Sequence, residues 1–167
     1  MLRCRSLLLP LFALLLGGCA QPSYVYQYVP GKTADLRDGY AIAPPDAPSE
    51  VKAAIAAGNR IAGLPYLYGA GHGPAIDTAY DCSGAASYVL RGAGRLDQST
   101  TSSALRRYGD SGEGNWISIY ARHGHVFLVV AGLRFDTGWT RHGGKGPQWT
   151  KENRPADYCV IRHPEGL

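Results

Sequence analysis

Charge of one sign, thiols and long apolar runs are all scarce in this sequence, and each scarcity removes a class of function. Across 167 residues, 17 Lys and Arg stand against 13 Asp and Glu, a formal net charge of +4. So mild an imbalance argues against nucleic acid, or an anionic membrane surface, as a partner. The longest apolar run, Leu7 to Leu16, is about ten residues, too short to span a bilayer comfortably as a helix. No internal repeat is present, and no low-complexity tract beyond a proline-rich stretch near the N-terminus. His123 and His125 offer two ligands on one strand face, but no third ligand follows at a recognised metal spacing, so neither metal nor other cofactor is expected. Four cysteines remain, and the role of each can be taken in turn.

The N-terminus reads as an address. Arg3 and Arg5 make a positive region ahead of the apolar run, which ends in Leu16-Gly17-Gly18-Cys19. That ending resembles the bacterial lipobox. The resemblance implies export, cleavage before Cys19, and a diacylated Cys19 anchored in a membrane leaflet. Ala20 and Gln21 lack the aspartate that retains some lipoproteins in the inner membrane. The expected location is therefore the cell envelope, facing the periplasm, at the outer membrane where the organism has one. Loss of residues 1–18 removes Cys4, Arg3 and Arg5, leaving 15 basic against 13 acidic side chains.

The expected organisation is a leader over 1–18, a tether over 19–48 and a domain over 49–167. Pro22, Pro30, Pro44, Pro45 and Pro48, without helical period, mark the tether. Within it Tyr24, Tyr26 and Tyr28 alternate, either as a short strand docked on the domain or as plain linker. A helix is predicted from an N-cap at Ser49, with Val51, Ile55, Gly58 and Ile61 on one face, ending at Gly63 and Pro65. A second begins at Cys82 and closes at Gly92 and Gly94; a third, short one runs from about Ser102 to Tyr108. The second half switches to strands: "NWISIYA", "GHVFLVVAG", "LRFDTGW" and "YCVIRHP". Helices first and strands second predict an α+β domain with the helices packed on a small antiparallel sheet.

Cys82 falls at the first turn of its helix, directly after the glycine-rich loop "YGAGHGPAIDTAYD". Free backbone N–H groups and the positive end of the helix dipole stabilise a thiolate there. Cys159 sits in a β-like segment, where a cysteine commonly serves as a small apolar residue. In an exported protein Cys82 and Cys159 could also pair. A nucleophilic thiol needs a base, most often histidine. His125 opens an apolar strand and is the better candidate; His123 precedes Gly124 and should face solvent, as should His142 and His163.

Pro65-Tyr66-Leu67-Tyr68-Gly69, then Asp81-Cys82-Ser83-Gly84, then Gly124-His125-Val126 resemble, in that order, the motifs of the NlpC-type cysteine peptidases of bacterial cell walls. Ala70 replaces the second glycine of the first element. The resemblance covers roughly residues 50 to 163 and implies a papain-like arrangement. Cys82 would be nucleophile, His125 general base, and Tyr68 a partner of the oxyanion. Asp81 and Ser83 would bind the free amine of a stem peptide, with Asp81 open to a second role as helix cap. The third catalytic position, usually histidine, departs from the family. A two-residue turn after Val130 places Asp136 on the face of His125, and a three-residue turn places Thr137 there; His142 is an outside choice. The resemblance implies an amide hydrolase acting on peptidoglycan stem peptides. A catalytically weak or inactive peptidoglycan-binding lipoprotein, and an amidase or acyltransferase using the same Cys-His pair, stay open beside it.

Overall fold

Alternation and glycine punctuation organise the chain from residue 23 onward. The structure, a computed structural model, describes residues 23–137 and 145–167; the leader, Cys19 and His142 lie outside them. The elements in chain order are β1 (Ser23–Tyr24), β2 (Asp35–Arg37), β3 (Tyr40–Ile42), α1 (Ser49–Ile61), α2 (Cys82–Gly92), α3 (Ser102–Leu105), β4 (Asp110–Ser111), β5 (Ile117–Arg122), β6 (His125–Val130), β7 (Leu133–Asp136), β8 (Gln148–Thr150), β9 (Arg154–Pro155) and β10 (Val160–His163). The architecture is α+β. A six-stranded antiparallel sheet runs in the order β4-β10-β5-β6-β7-β8, with two small two-stranded pairings, β1-β9 and β2-β3. No described helix is long and apolar enough to cross a membrane.

The period of two gives the sheet two different faces. Val126, Leu128, Val130, Leu133 and Phe135 join the main core with Val51, Ile55 and Ile61 of α1 and Val89 and Leu90 of α2. Phe127 points the other way, into a smaller cluster with Tyr24, Tyr120 and Ala156. The β6–β7 turn is the two residues Ala131 and Gly132, with Val130 paired to Leu133 and φ of 46° and 72°. Both central residues are left-handed, as the tightest hairpin turns require. Phe127 pairs across β5 with Tyr120, their rings stacked at 4.7 Å.

Three expectations are corrected. Residues 23–48 are packed structure and not free tether: Tyr24, Ala34, Ala41 and Ala47 are buried, and the Ala34 N–H donates to the Ala131 carbonyl. Of the two readings of the alternating tyrosines, the docked strand is the one observed, since Tyr24 pairs with Arg154. Ser49 is the first residue of α1 and not its cap; Pro48 precedes it with no side-chain cap bond. The third helix ends at Leu105, capped by Thr101. β8, unanticipated, closes the sheet edge, where the Trp149 ring meets Phe135 at 4.6 Å.

Candidate active site

The site is built where the start of α2 meets the start of β6. Asp81 makes the first half. Its Oδ1 accepts from the Gly84 N–H at 2.7 Å and the Ser83 hydroxyl at 3.0 Å, and its Oδ2 accepts from the Gly69 N–H at 2.9 Å. This is an N-cap that also ties the preceding loop to the helix. His72 Nε2 lies 3.1 Å from the same carboxylate. Burial opposes the charge on Asp81, yet the bonds from Gly84, His72, Gly69 and Ser83 hold its carboxyl below the usual range. A methyl group on Gly84 would lie 2.3 Å from the Ala70 carbonyl oxygen, so glycine is what lets loop and helix approach this closely. Cys82 is thereby the first helical residue, with first-turn N–H groups that have no acceptor within the helix.

β6 supplies the second half. Arg122 pairs with His125 across the His123-Gly124 turn, so His125 stands at the end of a strand fixed on both edges. Its Nε2 lies 2.9 Å from Asp136 Oδ1. Cys82 stands near enough for its side chain to act on the imidazole, and its sulfur is 4.0 Å from the Gly124 carbonyl oxygen. With Nε2 committed to Asp136, Nδ1 is the nitrogen left for the thiol. Burial disfavours the imidazolium, but the hydrogen bonds and charges of Asp136 and Cys82 outweigh it and raise His125 to about 9. For Asp136 burial pulls upward, and His125 with Arg134 prevails to keep the carboxyl below its ordinary value.

The choice between Asp136 and Thr137 is decided by register. The two-residue turn sets Asp136 on the face of His125, and Thr137 donates its backbone N–H to Asp136 Oδ1 at 2.8 Å. Thr137 therefore supports the carboxylate and does not replace it. Phe135 occupies the opposite face, in the main core.

Other site residues fall differently. Tyr68 is 87% exposed, and Tyr66 is the tyrosine on which the charges of Cys82 and Asp81 act. A parallel bridge between Tyr66 and Tyr80 brings it there. Asp81 and Ser83 are both buried and bonded to one another, which makes them framework of the helix start. Cys82 and Cys159 are free thiols, not a disulfide, and burial raises the Cys159 thiol. His123 turns away to Arg106 and Ser103, so it shares no ligand position with His125. His163, expected at the surface, is partly buried on β10, its Nδ1 3.1 Å from the Gly112 carbonyl oxygen. Arg134 went unremarked in the sequence. Its place two residues before Asp136 on a strand puts both on one face, and that spacing was the available signal.

A cavity of about 440 Å³ opens at His125. Tyr66, Arg122, Thr137, Asp157 and Cys159 help to line it. Cys82 is not among its lining residues.

The raised His125 links the site to stability. A folded-state value near 9 against 6.5 unfolded contributes stability fully present below pH 6.5 and lost as pH climbs through 9. Urea denaturation should show stability falling over that window by on the order of 2 kcal/mol. In His125→Gln the fall should be largely absent; an equal fall there would remove His125 as its source.

Compared with known proteins, the chain matches no family model and no curated protein.

Proposed function

We propose that this protein is a thiol peptidase of the NlpC type, papain-like in arrangement, which hydrolyses an amide bond in the stem peptides of bacterial peptidoglycan. It works from the cell envelope through a lipid on Cys19. The observation that carries this reading is Cys82 at a helix N-terminus beside His125, whose ring is hydrogen-bonded in turn to Asp136.

In this mechanism the Cys82 proton is held by His125, and the thiolate attacks the amide carbonyl carbon. The C=O electron pair moves to oxygen, where the Cys82 backbone N–H and the Tyr66 hydroxyl donate to it. His125 Nδ1 then protonates the leaving nitrogen as the C–N bond breaks, leaving a thioester on Cys82. The freed amine then leaves the site. Water gives a proton to His125, adds to the thioester and releases the carboxylic acid with restoration of the thiol. Asp136 stays ionised throughout and stabilises the imidazolium that each proton transfer creates.

Purified muropeptides incubated with the mature protein and with Cys82→Ala test the reading. Mass spectrometry should show an opened amide with the wild type and a rate lower by on the order of 10⁴-fold or more in the variant. Muropeptides left intact by the wild type, or cut equally by Cys82→Ala, would sink the proposal.

A further inference from the structure

Arg134 is the largest of the fully buried side chains among the described residues, with 1% of its surface exposed. Enclosing a guanidinium costs several kcal/mol, about the scale of a small domain's whole stability, unless it is paired and fully bonded. Two of its bonds go to one carboxylate oxygen. Nε and Nη2 donate to Asp136 Oδ2 at 3.0 and 2.6 Å. His125 and the Thr137 N–H take Oδ1 at 2.9 and 2.8 Å. Four donors thus hold a carboxylate with about four acceptor sites, so it can neither turn nor drift. Phe127 lies under the guanidinium, its ring centroid 3.5 Å from Cζ. Tyr24 of β1 closes the outer side, its hydroxyl accepting from the Arg134 N–H at 3.2 Å and donating to the Gly132 carbonyl at 3.0 Å.

We propose that Arg134 is a positioning residue: clamped beneath Tyr24 of the N-terminal strand, it fixes Asp136 as a carboxylate aimed at His125 and so keeps the proton of that pair on the imidazole. The electrostatic reason is one of distance. The cation touches Asp136 Oδ2 on the side away from His125, so its loss strengthens the carboxyl's hold on a proton far more than the imidazole's. Oδ2 would also lose two donors inside a buried pocket. The shared proton would pass from Nε2 to the carboxyl, with no change in the number of protons bound by the pair. A neutral Asp136 no longer supports an imidazolium. The other titratable groups facing Arg134 are Tyr24 from β1, Tyr120 from β5 and Cys159 ahead of β10, all kept neutral at pH 7 by burial. Arg122 and Asp157 stand in the wall of the adjoining cavity.

The kinetic consequence rests on the thiol-peptidase reading, but the proton's location does not. Nitrogen NMR of the His125 ring in the intact protein at pH 7 reads it without any substrate. Wild type and Arg134→Lys should show both ring nitrogens protonated. Arg134→Met should show a neutral imidazole, and Arg134→Gln, which keeps donors without charge, carries the same expectation should the methionine variant prove insoluble. Hydrolysis by these neutral variants should fall about 10²-fold in kcat with little change in KM. A His125 that stays doubly protonated in Arg134→Met or Arg134→Gln overturns the proposal, as does an imidazolium lost equally in Arg134→Lys. Hydrolysis absent from the wild type would count against the peptidase reading and leave the NMR result standing.

Discussion

Asp136→Asn will fold and be almost inert, whereas Asp136→Ala will lose both activity and stability. The two differ because Asp136 serves two partners. Arg134 donates twice to Oδ2, so the carbonyl oxygen of an asparagine there must face the guanidinium. Its NH2 group is then turned on His125 Nε2, which has to accept. Nε2 gives up its proton, the remaining one is held on Nδ1, the nitrogen that faces Cys82, and the imidazolium is lost with the geometry intact. A kcat loss on the order of 10³- to 10⁴-fold at nearly constant KM is expected. Alanine instead removes the carboxylate from beside a cation 1% exposed. Breaking a buried pair from one side costs about 3–5 kcal/mol. Thermal denaturation should separate the variants clearly. Equal melting temperatures for Asn and Ala, or an Asn variant with wild-type kcat, would show that Asp136 holds neither partner as described.

A chain starting at Ser49, the boundary that composition suggests, will be severely destabilised, while one starting at residue 23 will retain the full stability. The segment ahead of Ser49 seals the second face of the sheet. Tyr24 fills the small cluster with Tyr120 and Phe127. Deleting a large buried aromatic alone costs about 3–5 kcal/mol, against a typical total of about 5–15 kcal/mol. Further contacts go with it. Asn59 of α1 makes two hydrogen bonds to the Ala41 backbone, both 2.9 Å, and Lys151 pairs with Asp35 at 2.9 Å. The same deletion bares Arg134. Urea midpoints for the two truncations measure the difference, and a shorter chain as stable as the longer would mean that residues 23–48 merely rest on the domain.

Composition concealed this because Pro30, Pro44, Pro45 and Pro48 read as linker, and the strands between them are two or three residues long. One local signal was present. Asp38-Gly39, both at positive φ, forms the two-residue turn of the β2–β3 hairpin that pairs Arg37 with Tyr40, and Asp-Gly is a hairpin mark even in a proline-rich stretch. β8 was hidden for a similar reason: Gln148–Thr150 has too few residues to show a period.

α2 was legible almost to the residue, since a cap, a helix start and a glycine stop are all local instructions. So were β5, β6 and β7, whose apolar runs are long enough to declare themselves. Tyr66 and Tyr68 stand in a loop with no fixed period, and the bridge that ties Tyr66 to Tyr80 is a long-range pairing that only the fold supplies.

The sequence by itself determined the α+β order, the thiol at a helix N-terminus and the histidine at a strand start. These depend on caps, turns and periods that act within a few residues. The tertiary structure alone decided that Asp136 and not Thr137 holds His125, that Arg134 holds Asp136, and that Tyr24 covers Arg134. Those contacts join residues 11 and 110 positions apart, or share a face only once the turn at Ala131 and Gly132 has set the register. A one-residue change in that turn reverses every side chain after it, and no local preference in Leu133 to Thr137 carries that information.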